Sequence, residues 1–167
     1  MEIYLIRHGI AADASPDGSD RLRPLTPEGV AKLRGEAAGL DRLEVRLGVI
    51  LSSPLVRARQ TADVLARHLS TKPPVGVSSA LAPSGSPVDV AADLRKHQNA
   101  GPIALVGHEP GIGMLAARWL GAPAPIGFKR GGVCRIDFDA SIRDGAGTLR
   151  WFATPKMLLL IGRTDAE

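Results

Sequence analysis

The sequence predicts an α/β fold in which helices cover both faces of a mostly parallel β-sheet, forming a three-layer α/β/α sandwich. Short apolar runs alternate with amphipathic, helix-like stretches along most of the 167 residues. The run at 102–106 is almost entirely apolar, as is typical of a parallel strand covered on both faces. Two later runs flank Asp144-Gly145 and predict a hairpin, so we expect the last strands to be antiparallel. No repeat or linker divides the chain, and residues 1–167 are therefore expected to form one domain.

The order of the elements follows from local patterns. A first strand is expected at 2–6, and a long polar loop over 10–24 follows it. Thr26 is placed to cap a helix whose first residue is Pro27. Further along, the sequence predicts a strand at 47–52, a helix from Pro54, a weak strand at 75–77, a helix at 88–97, a strand at 102–106, a helix at 111–120, hairpin strands at 133–138 and 148–153, and a short edge strand at 158–161.

The composition narrows the classes of function. The net charge is +4 and the sequence pI is about 9.7, yet the basic residues are scattered and aromatic residues make up only 4% of the chain, which disfavours nucleic-acid binding. A mildly basic surface suits an anionic substrate or an acidic protein partner. The apolar runs are too short to cross a membrane, no secretory signal pattern opens the sequence, and Cys134 is the single cysteine. We therefore expect a cytoplasmic protein that does not act at membranes.

Arginine and histidine side chains follow three of the predicted strands. Arg7 and His8 come directly after the first strand, Arg57 follows the second, and His108 follows the strand at 102–106. Because ligands bind at the carboxyl ends of strands in open α/β sheets, we expect these side chains to converge at one edge. Guanidinium groups bind phosphate oxygens bidentately and keep their charge at any working pH. The set therefore predicts a site for a phosphoryl group.

Three sequence motifs carry a family resemblance. They are RHG at 7–9, SSPLVRARQTA at 52–62 and GHEPG at 107–111. In this order they resemble the motifs of the histidine phosphatase (phosphoglycerate mutase-like) superfamily. The short chain and the stretch RPLTPEG at 23–29 look most like the small bacterial phosphohistidine phosphatases of the SixA-like group. The resemblance covers the chain from residue 1 to about residue 120 and implies a phosphoglycerate mutase-like fold.

The resemblance also implies a mechanism and roles for individual residues. His8 would attack phosphorus in line and form a covalent phosphohistidine, which water then hydrolyses to release inorganic phosphate. Arg7 and Arg57 would clamp the phosphoryl oxygens, and His108 would donate a hydrogen bond to one of them. No metal or cofactor is implied, and the four histidines and one cysteine show no paired metal-ligand spacing. Three further residues are expected to contact the substrate: Gly9, Arg23 and Glu109.

The chain departs from the larger superfamily in the loop after the predicted third strand. Mutases and many phosphatases of this type carry a glutamate there as general acid, whereas residues 81–87 read LAPSGSP and include no carboxylate. An alkoxide leaving group needs a proton from a positioned acid, but an imidazole leaving from a protonated phosphohistidine departs as a neutral ring. The sequence thus favours phosphohistidine over sugar phosphates as substrate. Glu109 or Asp13 could still supply the proton.

Other polar residues have simpler interpretations. His68 and His97 end predicted helices, where a cation interacts well with the carbonyl terminus, and both are expected to be structural. Arg59 lies roughly 200° around the helix from Arg57 and is expected to face solvent. A basic pair, Lys129 and Arg130, could line the mouth of the site or merely face water.

Three hypotheses of function remain at this point. The first is a metal-free phosphatase acting on phosphohistidine in a phosphorelay or phosphotransfer protein. The second is a phosphatase of small phosphomonoesters or of a metabolite, which would depend on Glu109 or Asp13 as acid. The third is a binding module that retains a phosphate pocket without catalysis, although such a module has no need of a nucleophile.

Overall fold

The computed structural model describes residues 1–163 and contains one six-stranded sheet with helices on both faces. In chain order its elements are β1 (Glu2–Arg7), α1 (Pro27–Arg42), β2 (Val49–Ser52), α2 (Val56–His68), β3 (Val75–Val77), α3 (Pro87–Lys96), β4 (Ile103–Gly107), α4 (Gly111–Leu120), β5 (Val133–Asp137), β6 (Thr148–Ala153) and α5 (Pro155–Gly162). Short 3-10 turns occupy Asp20–Leu22 and Ser79–Leu81.

The sheet has the strand order β3-β2-β4-β1-β5-β6. The pairs β2–β3, β2–β4 and β1–β4 are parallel, whereas β5 pairs antiparallel with both β1 and β6. This confirms the predicted fold class, a mostly parallel sheet with late antiparallel strands. The carboxyl ends of β1, β2 and β4, three neighbouring central strands, lie together at one edge.

Successive side chains of the central strands point to opposite faces of the sheet, so each face has its own hydrophobic core. In β1, Tyr4 and Ile6 pack against α1, α2 and α5, whereas Ile3 and Leu5 point to the core shared with α3 and α4. Both sets are at most 1% exposed. Strands covered on both faces read as continuous apolar runs, which is the pattern of β1 and β4 in the sequence.

The start of α1 shows how the sequence sets a helix boundary. Thr26 accepts a hydrogen bond from the Gly29 N–H at 3.0 Å, and Pro27 occupies the first helical position, as expected. A Cβ on Gly29 would lie only 2.3 Å from the Ile10 carbonyl oxygen. Glycine at this position therefore lets the loop after β1 pass directly over the first turn of α1.

Two sequence predictions were wrong, one of the type of an element and one of a helix boundary. Residues 158–161 form part of helix α5 and not an edge strand, because Thr154 caps a helix by accepting from the Met157 N–H and Pro155 fills the first helical position. Helix α2 begins at Val56, two residues after Pro54. Ser53 and Pro54 continue from β2 as a connection, and the Ser53 N–H still donates to the Val106 carbonyl of β4. No helix in the part of the chain that the structure describes is long and apolar enough to span a bilayer.

Candidate active site

The site lies at the edge where β1, β2 and β4 end. His8 follows β1, Arg57 lies in the first turn of α2 after β2, and His108 follows β4. The imidazole centroids of His8 and His108 are 5.0 Å apart, and all three side chains are only 5–6% exposed. The structure therefore brings together side chains that the sequence predicted to converge, with Arg7 adjoining them at the end of β1.

The two ring nitrogens of His8 have different partners: one is hydrogen-bonded to the Gly9 carbonyl and the other faces Arg57. Its Nδ1 is 2.8 Å from the Gly9 carbonyl oxygen, an acceptor, so Nδ1 carries the proton and donates. Nε2 then has a free lone pair, toward which the Arg57 Nε–H points at 3.3 Å. Burial lowers the pKa of His8 to about 4, and the charges of Arg57 and Arg7 contribute in the same direction. The ring is consequently neutral at neutral pH.

Arg57 is fixed by the loop that follows β1. Its Nη1 donates to the Asp20 carbonyl at 2.8 Å, and its Nη2 donates to the Asp20 carboxylate at 3.1 Å. The same carboxylate pairs with Arg23 at 2.7 Å, while the Arg23 Nε donates to the Ala12 carbonyl. Hydrogen bonds from Arg23 and Arg57 hold the pKa of Asp20 below its usual range. Arg23, predicted to bind substrate, thus reaches the site through Asp20, which sequence reasoning did not single out.

His108 is held by the connection after β2. Its Nε2 is 2.8 Å from the Ser53 hydroxyl, which also accepts from the Leu55 N–H at 3.3 Å. Burial, followed by the neighbouring His8 and Arg57, lowers the pKa of His108 to about 3. The ring is therefore neutral and can donate from only one nitrogen.

Two buried polar atoms at the site lack a partner within the described residues, the Nδ1 of His108 and the Nε of Arg7. Buried polar groups in proteins are nearly always hydrogen-bonded, so unmet capacity concentrated in one place marks a site for a polar ligand. The other end of the Arg7 guanidinium donates from Nη1 to the Phe128 carbonyl at 2.6 Å. Burial lowers the pKa of Arg7, which nevertheless remains a cation at neutral pH.

The Thr61 hydroxyl links the backbone next to His8 to the backbone of Arg57. The Gly9 N–H donates to the hydroxyl of the fully buried Thr61 at 3.0 Å, and this hydroxyl donates to the Arg57 carbonyl at 2.7 Å. A Cβ on Gly9 would approach Leu33 Cδ1 to 2.8 Å. Gly9 was predicted to contact substrate, and the structure places its N–H on Thr61. Thr61 lies at helical spacing on the buried stripe of α2, and both Thr61 and Ser53 lie within the SSPLVRARQTA motif, but no sequence pattern reveals which groups they bind.

The remaining candidates occupy different positions. The half-buried Glu109 accepts from the Phe128 N–H at 2.7 Å, and its charge acts on Arg7. Asp13 is exposed on the long loop. His68 ends α2 and bonds through Nδ1 to the Val64 carbonyl, one turn back along the helix. His97 follows the last residue of α3.

An apolar cavity of about 170 Å³ adjoins His108. One wall is the loop at 80–87, which includes no carboxylate, and the other is the start of α4. The apolar side chains that line it are Ala80, Leu81, Ala82, Pro83, Pro87, Val90, Pro110, Ile112, Met114 and Leu115. Among residues 1–163, no group of three or more His, Cys, Asp or Glu side chains is placed to hold a metal ion.

The sequence is similar to proteins of known family. Residues 3–82 match the family model described as histidine phosphatase superfamily (branch 1). Phosphohistidine phosphatase SixA of Escherichia coli strain K12 is 32% identical over 158 residues, which cover 93% of this chain and 94% of that protein. The chain belongs to the histidine phosphatase superfamily.

A solved structure and a second sequence relative complete the comparison. The solved structure of the protein histidine phosphatase SixA complexed with tungstate superimposes with a TM-score of 0.83 at 30% identity, covering 93% of this chain and 98% of that one. An uncharacterized protein of Picosynechococcus sp. strain PCC 7002 is 42% identical over 118 residues, 70% of this chain and 71% of that protein. The family model, the E. coli relative and the SixA structure together identify the chain as a phosphatase of the histidine phosphatase type.

Proposed function

We propose that this phosphatase hydrolyses phosphohistidine on a protein, with His8 as the covalent nucleophile. The observation that carries the proposal is the state of the His8 ring. Its Nδ1–H is tied to the Gly9 carbonyl at 2.8 Å, and its neutral Nε2 faces Arg57 at 3.3 Å in the buried site. Nδ1 is thus unavailable for attack, and Nε2 is the atom that would bond to phosphorus.

A phosphoryl group entering between the arginines would release this nitrogen. The Arg57 Nε–H points at the Nε2 lone pair, but a phosphoryl oxygen is a stronger acceptor and would draw that N–H away. Arg7 and Arg57 would then balance the charge of the equatorial oxygens. Because the Ser53 hydroxyl can donate to His108 Nε2, His108 Nδ1 would carry the proton and donate to a further oxygen.

The reaction proceeds in two displacements. In the first, the lone pair of His8 Nε2 forms a bond to phosphorus as the bond to the leaving group breaks. The phosphorylated ring still holds its Nδ1–H, so it is a cation and a good leaving group. In the second, water attacks phosphorus, the P–N electron pair returns to Nε2, and the water gives up a proton to solvent as inorganic phosphate leaves.

The surroundings of the leaving group favour a P–N bond over a P–O bond. The apolar cavity described above adjoins His108. The loop at 80–87 that forms one of its walls offers no carboxyl group to protonate an alkoxide. A ring that leaves as neutral imidazole needs no such acid. The E. coli relative is named a phosphohistidine phosphatase, and the related SixA structure was obtained with tungstate, a tetrahedral oxyanion like phosphate.

Glu109 supports a second candidate, the hydrolysis of small phosphomonoesters. Its carboxylate acts electrostatically on Arg7 and so lies close to the phosphoryl site, where it could serve as an acid. The small cavity beside His108 would accept a compact leaving group.

One comparison separates these functions. We would measure phosphate release from a phosphohistidine-bearing phosphotransfer domain and from an aryl phosphate, using the wild type, His8→Ala and Glu109→Gln. The proposal predicts fast release from phosphohistidine that is lost in His8→Ala and kept in Glu109→Gln, with labelled phosphate trapped on His8. Faster release from the ester that depends on Glu109 would establish the second candidate. Binding of phosphate without release from either substrate would identify a binding module.

A further inference from the structure

Two exposed cations stand on the turn that supports the catalytic arginine and histidine. We call residues 128–132 the basic turn. Its Gly131 N–H donates to the carbonyls of both Arg7 and His8, at 3.0 and 3.2 Å, and its Phe128 carbonyl accepts from the Arg7 side chain. The Gly132 N–H closes the turn on the Lys129 carbonyl at 2.7 Å. The turn is therefore fixed to the site by the main-chain hydrogen bonds of Gly131 and by the side chain of Arg7.

The positive charges of the basic turn have the same sign as the arginines of the site and repel them. The positive charge of Arg130 contributes to lowering the pKa of both Arg7 and His8, so it is felt at the reacting groups. Lys129 and Arg130 are both exposed, and neither forms an ion pair with an acidic side chain within residues 1–163. The Glu109 carboxylate partly offsets these like charges at Arg7, whereas the exposed side chains of Lys129 and Arg130 have no such acidic partner within residues 1–163.

The rim of the site is electrically asymmetric. On the Arg7 side it presents the two cations of the basic turn, whereas the loop on the Arg57 side carries both signs of charge: the carboxylates Asp13, Asp17 and Asp20, and the cations Arg21 and Arg23. The phosphoryl group itself would be met by Arg7 and Arg57 inside the pocket. The exposed cations outside it are thus available for negative charges elsewhere on the substrate.

We infer that the basic turn is a docking surface for acidic residues that flank the phosphohistidine of a protein substrate. The inference rests on the proposed function and adds the chemistry of the partner surface. Charge complementarity of this kind steers association and orients the partner, and it weakens as ionic strength rises. A small phosphorylated molecule has no such surface and would gain little from it.

The test compares a protein with a small molecule that carries the same P–N bond. The variant is Lys129→Glu/Arg130→Glu, and the matched control is Arg34→Glu/Arg143→Glu, which makes the same change in net charge at exposed residues of α1 and the β5–β6 loop. The substrates are phosphoimidazole and a phosphotransfer domain with acidic residues around its phosphohistidine. We expect kcat/KM for the domain to fall on the order of tenfold or more at low salt in the basic-turn variant only.

The expected loss for the domain shrinks as salt is added and far exceeds any loss for phosphoimidazole. Replacing the acidic residues of the domain by lysine should restore activity with the basic-turn variant. Equal losses on both substrates, or no loss on the domain, would overturn the inference while leaving the proposed function intact. A wild type that releases phosphate from neither P–N substrate would refute the proposed function, and the inference with it.

Discussion

The hydroxyl of Thr61 offers a direct test of how the fold positions the nucleophile. It is fully buried, accepts the Gly9 N–H at 3.0 Å and donates to the Arg57 carbonyl at 2.7 Å. Thr61→Val preserves the shape of the side chain and removes both bonds. Thr61→Ser keeps the hydroxyl and removes one methyl group, which makes it the matched control.

The magnitudes follow from these contacts. Thr61→Val leaves the buried Gly9 N–H without its acceptor, which should lower the free energy of unfolding by about 1–3 kcal/mol. Thr61→Ser should cost about 1 kcal/mol for the buried methyl group. The two variants should differ more in rate than in stability, since a shift of about 1 Å at a reacting group can lower the rate on the order of 100-fold. We therefore expect kcat to fall at least tenfold in Thr61→Val and to change little in Thr61→Ser.

Urea unfolding would give the stabilities, and steady-state release of phosphate would give kcat. A Thr61→Val enzyme with wild-type kcat would refute the argument that this hydroxyl positions His8. A valine variant that is as stable as the wild type would show that the Gly9 N–H finds another partner at no cost.

Three more predictions concern protonation and packing. Burial raises the pKa of Glu36 from 4.5 to about 8, so the folded state binds this proton more tightly than the unfolded state. The free energy of unfolding of the wild type should therefore decline as the pH rises from about 4.5 to about 8, and that of Glu36→Gln should not, as measured by urea unfolding across this pH range. The pKa of His8 is about 4 and not 6.5, so kcat/KM, corrected for titration of the substrate, should fall only as the pH drops through about 4; a fall centred near 6.5 would contradict this. Gly39→Ala would place a Cβ 2.2 Å from the Leu158 carbonyl oxygen and should lower stability by about 1–3 kcal/mol, whereas Gly35→Ala would meet only the end of a flexible side chain and should cost less in the same urea assay.

Local sequence patterns predicted most of the fold because each depends on a few neighbouring residues. The apolar runs of β1 and β4 and the Thr26-Pro27 helix start needed no knowledge of the partner elements. The same kind of start occurs at Thr154-Pro155, yet the apolar run after it was interpreted as a strand. A short run such as MLLLIG suits either state, and the cap together with packing against α1 decides for the helix.

The sequence by itself determined the main components of the site. Arg7 ends β1, and His8, Arg57 and His108 follow strands of the parallel part of the sheet; the topology of an α/β fold brings such positions to one edge. Their residue types, two guanidinium groups and two imidazoles, were enough to predict a phosphoryl group as ligand.

Only the tertiary structure decided which groups hold these side chains in place. Asp20 meets Arg57 across 37 residues, Thr61 meets Gly9 across 52, and Ser53 meets His108 across 55. A single polar residue has no periodic pattern that reveals its partner, and its role is set by distance and direction after the chain has folded. The protonation of His8 and His108 depends on burial and neighbouring charges in the same way, because both arise only when the three strand ends meet.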